Sequence, residues 1–89
     1  MPEAPSTLVC LTTVGDRKAA RELAKHLLDR RAAACVQIEG PIESHYRWEG
    51  RDCCENEYRL VIKTAASRKD EVRELLREIH PYDHPQILT

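Results

Sequence analysis

The order and periodicity of its apolar residues predict an α+β fold for this chain: a βαββαβ succession, with two helices on one face of a four-stranded antiparallel sheet. Three observations carry that expectation. Two stretches repeat apolar residues at helical spacing, while four others are apolar or alternating runs of strand character. Each helical stretch has one apolar stripe only, so each covers a sheet face rather than lying inside a bundle. And 89 residues support a single core, so all six elements belong to one domain, residues 1–89.

Taken in order, Met1 to Ser6, with two prolines, read as a loose tail. Thr7 to Val14 is apolar or β-branched throughout, which predicts a buried strand. Gly15 breaks it, and Asp16 is placed to cap a helix by accepting from its free N–H groups. Ala20, Leu23, Ala24, Leu27 and Leu28 then form an i, i+3, i+4, i+7, i+8 stripe, predicting a helix from about Arg17 to Arg31. Ala33 to Ile38 is a second strand, interrupted by Gly40-Pro41 as a bulge or bend would interrupt it. Alternation resumes beyond, with Ile42, Ser44, Tyr46 and Trp48 on one face and Glu43, His45, Arg47 and Glu49 on the other.

Glu49-Gly50-Arg51 is the expected turn, and Glu57 to Thr64 the returning third strand. Ser67 with Asp70 has the spacing of a capping box for a second helix, whose buried stripe is Val72, Leu75, Leu76 and Ile79. His80-Pro81 ends that helix, because a residue before proline is pushed out of the αR region. Gln86 to Thr89 opens a fourth strand, cut short at Thr89. Right-handed crossovers place the first and third strands in the centre and the second at an edge, the ferredoxin-like arrangement.

Composition narrows the function. A hydrophobic fraction of 42% with 33% charged residues suits a soluble globular chain. A formal charge of -1 supplies neither the basic footprint of a nucleic-acid binder nor a polybasic membrane signal. The longest apolar run, Ala32 to Val36, is far too short to cross a bilayer, and Met1 to Pro5 has no secretory character, so a cytoplasmic chain is expected. The four cysteines show no CxxC spacing and are expected to be free, partly buried thiols.

Two helices roof one sheet face, yet the first strand is apolar on both sides. The long second-to-third strand hairpin carries Tyr46, Trp48 and Tyr58, three of the four aromatic residues. An uncovered apolar face beside an aromatic hairpin marks an association surface, and an oligomer is expected. No nucleophile elbow and no clustered glycines for a phosphate loop are present, so no enzyme chemistry is indicated. A metal site has one candidate in His80, Asp83 and His84, where imidazole and carboxylate suit copper or zinc. Pro81 and Pro85 exclude a helical pair there, and a solvated, proline-stiffened loop is the plainer reading. Glu57 and Lys63 fall on one face of the third strand with Arg59 and Val61, as a polar cleft lining or as a surface ion pair.

Ala33-Ala34-Cys35-Val36, Tyr46-Arg47-Trp48-Glu49-Gly50, Glu57 leading into Ile62-Lys63-Thr64, and His80-Pro81-Tyr82 followed by Pro85 and Ile87 stand in the order and spacing of the CutA divalent-cation tolerance family. The resemblance spans Leu8 to Leu88 and implies a ferredoxin-like subunit in a homotrimer built through long hairpins. It implies a role in tolerance of divalent metals, with binding of copper or a similar divalent cation and no organic cofactor. It places Tyr46, Trp48, Glu57, Lys63, His80 and Tyr82 near the inter-subunit clefts. The family also resembles the PII signalling proteins, so the alternative function is a PII-like regulatory module binding a small ligand in those clefts. Three departures stand out: Asp52-Cys53-Cys54 after the turn, Gln86 where glutamate is common, and the lack of the glycine, tyrosine and tryptophan segment beyond the fourth strand, which is expected to lower stability.

Overall fold

The computed structural model describes residues 7–82 and 86–89. In chain order it contains β1 (Thr7–Val14), α1 (Arg17–Asp29), β2 (Cys35–Trp48), β3 (Arg51–Ala65), a 3₁₀ turn (Ala66–Arg68), α2 (Lys69–Ile79) and β4 (Ile87–Leu88). The sheet order is β2-β3-β1-β4 with every pairing antiparallel, so the two central strands are those expected. β4 is a two-residue strand, pairing Thr12 with Ile87 and Leu11 with Leu88.

Both helices lie on one face, and the core forms between them and the sheet. From the sheet come Cys10, Val14, Leu60 and Ile62; from α1, Ala20, Leu23 and Leu27; from α2, Val72, Leu75 and Leu76. Asp16 caps α1 as expected, its Oδ1 accepting from the Ala19 N–H at 2.7 Å. α1 ends at Asp29, two residues earlier than the apolar stripe suggests. Arg31 adopts a left-handed conformation (φ 55), and the Ala32 N–H returns to the Leu27 carbonyl at 2.9 Å. That reversal carries Ala32 and Ala33 into the core before β2 begins at Cys35; within α1, Leu28 is 45% exposed at the margin of the buried face.

α2 begins differently from the expectation. Ser67 lies inside the 3₁₀ turn, Arg68 occupies the N-cap, and no side chain caps the helix. Asp70 and Glu71 stand in the first turn, where negative charge offsets the helix dipole, and Glu71 accepts from Arg68 at 3.0 Å. The cysteines also divide. Cys10 is buried in the core, whereas Cys35 is exposed at the start of the edge strand, and all four are free. Burial pushes the Cys10 thiol pKa up while the charge of Arg73 pulls it down, the upward effect winning.

β3 begins six residues before the expected Glu57, because the ladder with β2 continues to Trp48↔Arg51 through a polar stretch. The register shifts once, between Glu39 and Ile42. One extra residue there means that odd-numbered β2 residues face away from the helices before Gly40-Pro41 and even-numbered ones do so after it. The glycine is required: at φ 145, a Cβ on Gly40 would stand 2.8 Å from a Tyr58 ring carbon and 3.0 Å from the Glu57 carbonyl oxygen. The hairpin dominates the outline, 51 Å long against 22 Å in both other directions.

Candidate functional site

The face of the sheet turned away from the helices holds the polar centre of the molecule. The bulge puts Ile42, Ser44, Tyr46 and Trp48 on this face, and the register sets them beside Glu57, Glu55, Cys53 and Arg51 of β3. Glu57 is the focus. Its side chain is buried, and the Tyr82 hydroxyl donates to Oε2 at 2.7 Å. Burial alone would raise the Glu57 pKa. Hydrogen bonds from the Ser44, Tyr82 and Thr13 hydroxyls, with the nearby His80, outweigh it and hold the carboxyl below its ordinary value. The reciprocal effect acts on Tyr82, whose pKa is raised by burial and by donating to Glu57.

His80 sits behind this carboxylate. The Tyr82 backbone N–H donates to Nδ1 at 3.1 Å, so Nε2 carries the proton of the neutral ring and donates to the Thr13 carbonyl at 2.9 Å. Thr12 Oγ1 lies 3.0 Å from the same Nε2 and donates to the Gln86 carbonyl at 2.8 Å, tying β1 to the segment preceding β4. Burial lowers the His80 pKa, opposed by the Thr13 carbonyl and the Glu57 charge, and the lowering prevails. Neither ring nitrogen is left over for a cation in this arrangement. Among the described residues, no buried side-chain nitrogen or oxygen lacks a partner.

The structure brings together four of the six residues expected at a cleft. Tyr46, Trp48, Glu57 and Tyr82 line one groove of about 340 Å³ with Glu55. Donating to Glu55 pushes the Tyr46 hydroxyl pKa up to about 12. A neighbouring groove of about 510 Å³ runs from Ser44 and Glu57 to Leu11, Arg59 and Leu88. His80 belongs to the same network one layer deeper. Lys63 does not: it stands six residues along β3 from Glu57, about 20 Å at ~3.3 Å per residue, and pairs with Cys35 and Val9. That separation removes the Glu57–Lys63 ion pair. Asp83 and His84 lie outside the described residues. Sequence reasoning missed the hydroxyls of Thr12, Thr13 and Ser44. For Ser44 the signal was its alternation with Tyr46; nothing local marked the threonines.

Around this site the sheet face is bare. Val9 (43% exposed), Leu88 (52%) and Tyr46 (41%) lie on it, and Trp48 at the hairpin end is 61% exposed. No helix of the described residues is long and apolar enough to cross a membrane. Fold and site together define a ferredoxin-like α+β protein with one naked sheet face, a projecting hairpin and a self-satisfied carboxylate network at their junction.

Comparison with known sequences gives that description a family. The profile of the CutA1 divalent ion tolerance protein matches residues 8–89, and the chain belongs to this family. It is 38% identical over 81 residues to the divalent-cation tolerance protein CutA of Thermus thermophilus, covering 91% of this chain and 79% of that one. It is 37% identical to the chloroplastic protein CutA of Arabidopsis thaliana, covering 93% of this chain but only 46% of that longer protein. The crystal structure of CutA1 from Oryza sativa superimposes with a TM-score of 0.91 at 36% identity, over 94% of this chain and 77% of the other. The ferredoxin-like expectation is thereby met by solved structures. A relative named chloroplastic means that membership alone does not assign a cytoplasmic location.

Proposed function

We propose that this protein serves divalent-cation tolerance as a cytoplasmic homotrimer that takes up copper or a similar divalent cation, without catalysing a reaction. The family match over residues 8–89 carries the reading. Two structural features support it. The bare sheet face, with Val9, Leu88 and Tyr46 exposed, is the kind of apolar surface that association removes from water. The groove of Tyr46, Trp48, Glu57 and Tyr82 opens on that same face, where a second subunit would close it into a cleft. Lys63, at the far end of β3, would meet a different part of the neighbour. Four free thiols suit a reducing compartment.

The His80, Asp83 and His84 segment remains a proposed cation contact, with His80 having to give up the Tyr82 N–H or the Thr13 carbonyl to take part. A PII-like regulatory module is the second reading. The observation favouring it is the groove of about 510 Å³, lined by both Glu57 and Arg59 and large enough for a small polar ligand. Native mass spectrometry with and without copper(II) separates these. The expected result is a species of three 10.2 kDa chains that gains discrete copper masses. A trimer that stays bare with copper but gains the mass of a small metabolite supports the second reading, and a monomer removes the cleft. Unchanged copper uptake in the His80→Ala/His84→Ala variant would exclude the proline segment.

A further inference from the structure

The opposite face of the hairpin carries a second constellation. After the bulge, Glu43 and His45 alternate onto the helix-side face of β2, and the register sets His45 directly across from Cys54 of β3. Among the described residues no helix roofs this face, since the helices end near Tyr58, where Arg17 lies 5.0 Å over the ring. Glu43 Oε1 lies 3.0 Å from His45 Nε2, and Cys54 Sγ lies 3.7 Å from the same nitrogen. Carboxylate oxygen, imidazole nitrogen and sulfur all fall within 4.8 Å of one another, and all three side chains are exposed. Cys53 points to the other face and does not join them.

The geometry points to a binding site for one borderline-soft divalent cation of the zinc class at Glu43, His45 and Cys54, an inference that rests on the cation-uptake reading above and gives it a location. A tetrahedral zinc with Zn–S about 2.3 Å, Zn–N about 2.0 Å and Zn–O about 2.1 Å holds its sulfur and nitrogen about 3.5 Å apart and its nitrogen and oxygen about 3.4 Å apart. The separations of 3.7 and 3.0 Å therefore need only a few tenths of an ångström of adjustment. The oxygen-to-sulfur separation, within 4.8 Å, closes to about 3.6 Å by rotation of the exposed Glu43 side chain. Two donors come from one strand and the third from its hydrogen-bonded neighbour, so the paired backbone holds them in place before the ion arrives. Solvent fills the fourth position, as in open three-ligand sites. On binding, the Cys54 thiol releases its proton to water and sulfur bonds the ion as thiolate. The proton that His45 Nε2 donates to Glu43 shifts to Nδ1, freeing the Nε2 lone pair. Sulfur and imidazole in one set favour zinc-like ions over magnesium or calcium.

The test is cobalt(II) titration of the full, reduced chain, read by the thiolate-to-cobalt charge-transfer band and by zinc competition. The expected result is a band in the unaltered protein, displaced by zinc and not by magnesium. It should be lost in Cys54→Ser and His45→Ala, retained in Cys53→Ser, and require at least about tenfold more cobalt in Glu43→Gln. A band that survives Cys54→Ser, or disappears in Cys53→Ser, overturns the site, as does its absence from the unaltered protein. Circular dichroism and the oligomeric mass of each variant establish that the exposed substitutions leave the fold intact. Divalent-ion uptake by the unaltered trimer that persists in Cys54→Ser would sink this site alone; no uptake of copper, cobalt or zinc by any form would sink the broader reading with it.

Discussion

Strand β3 contains two regions that share one backbone ladder and differ in everything else. From Glu57 to Ala65 every residue is buried or half-buried, with Leu60 and Ile62 fully enclosed by the helices. From Arg51 to Asn56 only Cys53 is even partly covered. Both regions pair with β2, and the ladder is interrupted between them only by the register shift at Gly40-Pro41. Strand formation therefore follows from hydrogen-bond pairing, whereas burial follows from what lies above the sheet. The inner region is a core, and the outer region is a surface held in register by that core, which is how exposed groups such as Tyr46, His45 and Cys54 acquire defined neighbours.

The largest way to break the contrast is Leu60→Ala. Its side chain is fully buried, and the cavity should cost about 2–5 kcal/mol in chemical denaturation. A change at Leu60 as mild as one at an exposed hairpin residue would mean the core does not anchor the sheet. Gly40→Ala strikes the junction between the regions. With a Cβ 2.8 Å from Tyr58 and φ at 145, about 1–3 kcal/mol should be lost, and amide exchange should quicken in the outer hairpin. Tyr82→Phe removes the donor 2.7 Å from Glu57 and should cost about 1–2 kcal/mol, raising the Glu57 pKa as read by carboxyl NMR titration. Trp48→Ala is the smallest for the isolated subunit, within about 0.5 kcal/mol. In the proposed trimer its effect should appear instead as weakened association in sedimentation velocity.

The network at the junction also sets a pH dependence. His80 has a folded-state pKa below its ordinary 6.5, so the unfolded chain binds more protons there and stability falls as pH drops through and below 6.5. Glu57, depressed below its ordinary 4.5, adds a second loss at lower pH, as the carboxylate is protonated. Denaturant midpoints measured from pH 8 down to about 2 should therefore decline toward acid in two stages, the second setting in below 4.5. His80→Asn should flatten the upper stage and shrink the lower one only slightly, since His80 is the least of the groups holding the Glu57 pKa down; an unchanged upper stage would assign it to another group.

Much of this was legible in the residues. The stripe Val72, Leu75, Leu76 and Ile79 gave the buried side of α2, and the aspartate before Arg17 gave the α1 cap. Gly40-Pro41 marked the interruption of β2, because a glycine and a residue lacking an N–H together interrupt a ladder, and the register makes that interruption a bulge. The errors came where local preference met tertiary demand. Ser67 has the capping spacing, but the chain leaving β3 enters the helix through a 3₁₀ turn and bypasses it. Leu28 continues the apolar stripe of α1, yet it stands at the margin of the face that packs on the core through Ala20, Leu23 and Leu27 and remains in solvent. The polar stretch Asp52 to Asn56 has poor strand preference and was still carried into β3 by its partner strand.

By itself the sequence determined the order of elements, their amphipathic faces and the position of the bulge, because these depend on residues close together along the chain. It also placed Glu43 beside His45 and Ser44 beside Tyr46, since alternation needs only neighbours. What only the tertiary structure decided is which distant groups meet: Tyr82 with Glu57, His80 with Thr12 and Thr13, Cys54 with His45, and Lys63 with neither Glu57 nor His80. Those meetings depend on strand register and on the path of the chain after α2. Both are set by the burial of the whole core, which no local pattern specifies.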